Sequence, residues 1–276
     1  MKHLITSGCS FTHDVPTWAN FLSETTGRKL HNVAMSGAGN HIISSELIRK
    51  IEILLDEGIK EEDMVVVVQW SGIFRFDKIV EKHPNTSDRL VYLANGQQPR
   101  AFSPPSGTYN DWVMCAGSRD KGIWPSVHTI MSKEQAFLET VENVLRVQWY
   151  LNHQNIKFKM FTGWDIFTDG APIRKGTRLG TDTIVNTNQF TDDSYTNKTH
   201  TMLSDNCKWF GYLFDMIDWD NFWTFEDENI KYGGLTQWAK STLPKDEWYR
   251  APGDFHPSTE AHKKFANQVL MEIIND

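Results

Sequence analysis

Met64-Val65-Val66-Val67-Val68 is the segment that most narrows what this chain can fold into. Four valines in a row are stiff at χ1 and suit a pleated strand better than a helix. A strand with one wet face alternates apolar and polar residues, and this run has no polar face at all. It therefore needs cover on both sides, as an internal strand of a parallel sheet has. Parallel strands need long crossovers, usually helical, and the flanking sequence supplies the periodicity for them.

Leu4 to Ser7 is a short β-type run that stops at Gly8, and Leu30 to Ala34 reads as a second strand. Between them, Trp18 to Leu22 shows helical spacing, with Pro16 suited to a first helical turn. Ile43, Leu47, Ile51, Leu54 and Leu55 recur at three and four residues, and Gly58 ends that helix. Ser132 opens a further helix with Gln135 completing a capping box, and Phe137, Leu138, Val141, Val144, Leu145 and Leu151 form its apolar face. Ile156 to Thr162 is a fourth strand. Leu203 to Ile217 reads as helical and Phe222 to Phe225 as a weak fifth strand. Ala261, Phe265, Val269, Leu270, Ile273 and Ile274 mark a last amphipathic helix with Ser258 as N-cap and Glu260 in its first turn.

Strand alternating with helix predicts a doubly wound α/β fold, a three-layer α/β/α sandwich on a mostly parallel sheet of about five strands. At 276 residues the chain suits one domain of this kind, spanning 1–276. Two stretches lack periodicity, about 72–131 and 165–203, and are read as insertions near the site.

A net charge of −7 with no basic run argues against nucleic acid as a partner. Cys9, Cys115 and Cys207 are odd in number and widely spaced, so neither a disulfide framework nor a metal site is expected. The N-terminus lacks the apolar stretch of a signal peptide, and no run is long enough to cross a bilayer. The expectation is a soluble cytoplasmic protein with no membrane partner. Oligomeric state is not legible. Eleven tryptophans either fill the core or offer faces to sugar rings; Trp70, Trp112, Trp124 and Trp164 stand near the presumed strand ends.

In open α/β sheets ligands bind beyond the carboxyl ends of the strands. Three segments fall there: Gly8-Cys9-Ser10, Ser36-Gly37-Ala38 and Gln69-Trp70-Ser71. A serine between a strand end and a helix start gains exposure and nearby N–H donors, though it still needs a base. Gly37-Ala38-Gly39 lacks the full dinucleotide pattern of glycines. Near the C-terminus, Gly253-Asp254-Phe255-His256-Pro257-Ser258 sets a carboxylate close to a histidine, where it can fix the ring's tautomer.

Taken in order, these blocks resemble the SGNH/GDSL hydrolases. Gly8-Cys9-Ser10-Phe11-Thr12 is similar to their first block, Asn32 to Gly37 to their second, and Asp254-Phe255-His256-Pro257-Ser258 to their last, with Ala261-His262 after it. About twenty residues carry a likeness that runs the length of the chain. The resemblance implies a serine esterase without metal or cofactor. Ser10 would be the nucleophile, His256 the base and Asp254 the acid. The Ser10 N–H, the Gly37 N–H and a side chain after the third strand would hold the oxyanion.

The chain leaves the family pattern at three places. Cys9 stands where the first block has aspartate; as a nucleophile it would be one residue out of place, with its side chain pointing away from that of Ser10. Ser71 stands where the family has its oxyanion asparagine, so either Ser71 donates, or Gln69 or Arg75 reaches in, or activity is weak. The acid is expected three residues before the histidine, at Gly253, whereas Asp254 is two before it and reaches the ring only if the turn differs. Trp70, Gln69, Arg75 and Asn40 are candidates for lining the substrate site. The substrate expected is a small acyl ester, such as acetyl on a carbohydrate. A non-catalytic small-molecule or glycan binder on the same scaffold, and an O-acyltransferase, remain as alternatives.

Overall fold

The computed structural model describes residues 1–14, 16–73, 75–80, 111–116, 133–167, 178–179, 183–184, 211–228, 230–251 and 254–275. The chain opens with β1 (His3–Ser7), the one-turn helix α1 (Ser10–His13), α2 (Trp18–Thr26), β2 (Lys29–Asn32), α3 (Asn40–Asp56) and β3 (Met64–Trp70). An antiparallel hairpin follows, β4 (Arg75–Val80) with β5 (Asp111–Ala116), then α4 (Lys133–His153) and β6 (Lys157–Thr162). Two-residue strands β7 (Arg178–Leu179) and β8 (Thr183–Ile184) pair with each other. The chain closes with α5 (Gly211–Asp215), β9 (Phe222–Trp223), α6 (Leu235–Thr242) and α7 (Thr259–Phe265). A π-helical turn, Ala266–Leu270, joins α7 to α8 (Met271–Asn275).

The central sheet has the order β2-β1-β3-β6-β9, with every pair parallel. The valine run lies in its middle strand. Met64, Val66, Val68 and Trp70 face one apolar core, which α3, α4 and α5 cover with Ile43, Leu47, Val141, Val144 and Phe214. Val65 and Val67 face the other, which α2, α6 and the C-terminal helices cover with Trp18, Leu22, Trp238, Phe265 and Leu270. The strict alternation between two buried cores is why the run carries no polar residue. The architecture is the expected α/β/α sandwich. None of the described helices is long and apolar enough to cross a membrane.

Several elements differ in extent from expectation. The second strand ends at Asn32, because the Asn32 side chain donates to Thr12 O at 2.7 Å and accepts from Ala34 N at 3.0 Å, turning the chain. Pro16 precedes the helix instead of opening its first turn; Thr17 is the N-cap, in a capping box with Asn20. Helix α6 went unpredicted, since eight residues show too little periodicity. In the expected helix from Leu203 to Ile217, only Gly211–Asp215 is described as helical, and residues 201–210 lie outside the described set, as does Ser132 of the α4 capping box. Most of the two expected insertions also lies outside it, apart from the hairpin and the β7–β8 pair. Ser258 is the N-cap expected, its hydroxyl accepting from Ala261 N at 3.0 Å.

From β1 the chain crosses to β2 over one face and from β2 to β3 over the other. Such a reversal, outside the carboxyl ends of β1 and β3, is where α/β sheets commonly bind ligands, and the loops after β1, β2 and β3 meet there.

Candidate active site

Ser10 is the first residue of α1, directly after β1, so its N–H is not consumed by an intrahelical bond. The turn is held from beneath by Gln69 at the end of β3. Its Oε1 accepts from Cys9 N at 3.2 Å, Cys9 Sγ at 3.3 Å and Thr12 Oγ1 at 3.2 Å, and its Nε2 donates to Trp70 O. Thr12 Oγ1 also accepts from the Trp18 indole at 3.2 Å. These groups are buried. Gly8 is needed for space: a Cβ there would sit 2.3 Å from Thr12 Oγ1 and 2.9 Å from Gln69 Oε1. Cys9 is wholly enclosed, and its sulfur turns to Gln69 while the Ser10 hydroxyl turns to His256.

His256 comes from a hairpin-like excursion before α7. Tyr249 bridges Pro257, Arg250 N donates to His256 O at 3.1 Å and Ser258 N donates to Trp248 O at 3.1 Å. His256 Nε2 lies 2.8 Å from Ser10 Oγ, and Nδ1 lies 2.5 Å from Asp254 Oδ1. With Nδ1–H donating to the carboxylate, Nε2 is left to accept the serine proton. Asp254 reaches the ring through a local turn, as its two-residue spacing requires. Its Oδ1 also accepts from His256 N at 2.9 Å, an Asx-type turn, and its own N–H donates to Ala251 O at 3.0 Å. That turn accounts for the shortened spacing between acid and histidine. Burial opposes the charged form of Asp254, but the His256 backbone and ring N–H groups and the Arg250 charge outweigh it, holding the carboxyl below its usual 3.8.

Phe11 packs on the His256 ring with centroids 5.4 Å apart, Trp164 meets Phe11 edge-on at 5.3 Å, and the Arg75 guanidinium lies over Trp164 at 5.3 Å. Arg75 also donates to Ala38 O at 3.1 Å. On the second loop, Met35 N donates to Gly8 O at 3.1 Å, so this segment runs beside the nucleophile turn. Gly37 has φ +89°, a conformation that favours glycine. The buried Asp77 of β4 fastens the same loop to α3, accepting from Gly39 N at 3.0 Å and Ile42 N at 3.2 Å.

The remaining candidates are placed otherwise than as substrate contacts. Gln69 and Trp70 are wholly buried; Gln69 supports the Ser10 turn, and the Trp70 indole donates to Met160 Sδ at 3.4 Å within the core. Asn40 is also buried. Its Oδ1 accepts from Ser71 N at 2.9 Å, and its Nδ2 donates to Ser71 O at 3.1 Å and Thr140 Oγ1 at 3.0 Å. It braces the loop after β3 through the Ser71 backbone. The Ser71 hydroxyl is enclosed and has no hydrogen-bond partner among the described residues. Arg75 alone of the four is partly exposed. Trp124 and the side chain of Trp112 lie outside the described residues. Among the described residues, no group of three or more His, Cys, Asp or Glu is placed to hold a metal ion.

No family model matches the chain, and no curated protein matches it either. Sequence reasoning missed Asp14 and Arg250. Arg250 Nη2 meets Asp14 Oδ2 at 2.9 Å, and its Nε meets Asp254 Oδ2 at 3.5 Å. The i,i+4 spacing of Arg250 and Asp254 was readable as a pattern, but it carries meaning only on a helix, and this segment is not one. Nothing local marks Asp14, whose partner is 236 residues away.

Proposed function

We propose that this protein is a serine hydrolase of SGNH/GDSL type that cleaves a small acyl ester, such as acetyl on a carbohydrate. The observation that carries this reading is the continuous line Ser10 Oγ, His256 Nε2, His256 Nδ1, Asp254 Oδ1, with gaps of 2.8 and 2.5 Å. Ser10 Oγ attacks the ester carbonyl as His256 Nε2 takes its proton. The imidazolium then returns that proton to the leaving alcohol, and an acyl-enzyme forms. Water attacks the acyl-enzyme with His256 as base, and Ser10 recovers its proton. Asp254 holds the tautomer and steadies the imidazolium. The N–H groups of Ser10 and Gly37 are the oxyanion donors. Phe11, packed on the His256 ring, and Trp164, edge-on to Phe11, would form the apolar wall against which a small acyl group rests.

The test is covalent labelling by a fluorophosphonate together with turnover of p-nitrophenyl acetate. Labelling at Ser10 that is lost in Ser10→Ala is the expected result. No labelling and no turnover above the Ser10→Ala background would overturn it.

The Ser71 hydroxyl favours a second reading, a binder on the same scaffold. Enclosed as it is, it does not offer the third oxyanion donor that the resemblance implies. A ligand held in the cleft with no turnover, and no rate lost in His256→Ala, is what that reading expects. Transfer of the acyl group to a sugar hydroxyl in place of water would show as a product dependent on the acceptor.

A further inference from the structure

We propose that Asp14 and Arg250 form a positioning clamp that keeps His256 in register with Ser10 and ties both to the Gly37 loop. This rests on the serine-hydrolase reading, which it deepens.

Ser10 and Asp14 stand at opposite ends of α1, joined by Asp14 N donating to Ser10 O at 3.2 Å. Ser10 meets the His256 loop through one hydrogen bond to the ring. One bond lets the loop pivot. Asp14 supplies a second point of attachment, since Arg250 Nη2 donates to Asp14 Oδ2 at 2.9 Å. Arg250 also faces Asp254 through Nε at 3.5 Å, so one planar fork addresses the acid of the line and the far end of the nucleophile helix together. The circuit Ser10, His256, Asp254, Arg250, Asp14 and back along α1 is closed. Asp14 Oδ1 accepts from Ser36 Oγ at 2.9 Å, and Ser36 precedes Gly37. The loops after β1 and β2 and the loop before α7 therefore converge on one carboxylate. His13 Nδ1, at 3.2 Å, is the other group on that oxygen.

Stability does not account for the pair. The Arg250 and Asp14 side chains are 37% and 31% exposed, and pairs so open to water contribute little to folding. Misplacing reacting groups by about 1 Å, by contrast, can cost on the order of 10²-fold in rate. A half-exposed pair that spans two loops only one hydrogen bond apart is placed to govern rate.

The full chain, Arg250→Met, Asp14→Ala and the double variant are compared for kcat and KM on p-nitrophenyl acetate, thermal midpoint and the 15N imidazole spectrum of His256. The expected result is a fall in kcat of roughly 10- to 100-fold in either single variant, with KM and midpoint little changed. The double variant should lose less than the product of the single losses, because both singles break the shared Arg250–Asp14 bond. The His256 Nδ1–H signal of the wild type should broaden or average in each variant. An unchanged kcat in Arg250→Met, or losses that multiply in the double variant, overturns the clamp while leaving the hydrolase reading intact. A wild type that neither labels nor turns over sinks the hydrolase reading. The imidazole spectrum then decides the clamp alone, and an unaltered His256 signal in both single variants overturns it.

Discussion

The two halves of the site are held by opposite means. The Ser10 turn is fastened from inside: Gln69, buried beneath it, binds Cys9 and Thr12, and Gly8 leaves no room for a side chain. The histidine loop has backbone bonds of its own, but its side chains are fastened from outside, by the partly exposed carboxylate of Asp254 and the Arg250–Asp14 ion pair. Buried polar bonds are costly to break, because the abandoned group cannot turn to water. Exposed pairs are cheap to break, because water replaces the partner. Ser10 is thus fixed by the same contacts that fix the fold, whereas the His256 ring is set largely by contacts the fold can lose.

Asp254→Asn should produce the largest effect and should fall on rate alone. An amide no longer fixes the tautomer, and kcat should drop on the order of 10³–10⁴-fold, with a thermal midpoint close to wild type. A midpoint that collapses would place Asp254 among the structural bonds and break the contrast. Gln69→Leu should behave in the reverse sense. It strands the Cys9 N–H and the Thr12 hydroxyl, costing roughly 2–4 kcal/mol, which lowers the midpoint by about 5–15 °C. A variant as stable as wild type would show that the turn is not held from within.

A third effect depends on pH. His262, on α7 behind the histidine loop, is buried, and its Nδ1 has no hydrogen-bond partner among the described residues. Burial first, then the positive charges of Arg250 and His256, push its pKa down to about 3 against a weaker pull from Asp14. The unfolded chain then takes up a proton near pH 6.5 that the folded chain refuses, so stability falls as pH drops from 6.5 towards 3. His31, pushed down to about 4 chiefly by burial, adds to the same window. Asp14 and Asp254, held below 3.8, keep their contribution until the pH falls below that range. Denaturation midpoints at pH 7 and pH 4.5 should therefore differ, and His262→Leu should narrow the difference. An equal difference in the variant would remove His262 from the account. The smallest effect is that of Asp14→Asn on stability at pH 7, below about 1 kcal/mol; a larger loss would move the outer fastening into the same class as Gln69.

The sheet was legible because its signal is local and doubled. Val65 and Val67 serve one core while Val66 and Val68 serve the other, and only a strand covered on both faces tolerates that run. Ser10, Asp254 and His256 were legible as types at fixed places in a chain order. Helix α6 was too short for its periodicity to show, and Gln69 and Trp70 looked like site residues because they end a strand beside the crevice. Which side of the sheet a strand-end residue enters decides between lining a cleft and bracing it, and that is settled by packing.

The sequence alone determined the alternation of strand and helix, the buried middle strand, and the residue types after β1 and before α7 that have the chemistry to act. The tertiary structure decided whether they meet. Hydrophobic patterning acts over a few residues, so it can be read from neighbours. The 2.8 Å between Ser10 and His256 joins positions 246 residues apart, and the ion pair that steadies it joins Asp14 to Arg250. Distances of that kind are set by how loops close over a finished sheet, and no local pattern encodes them.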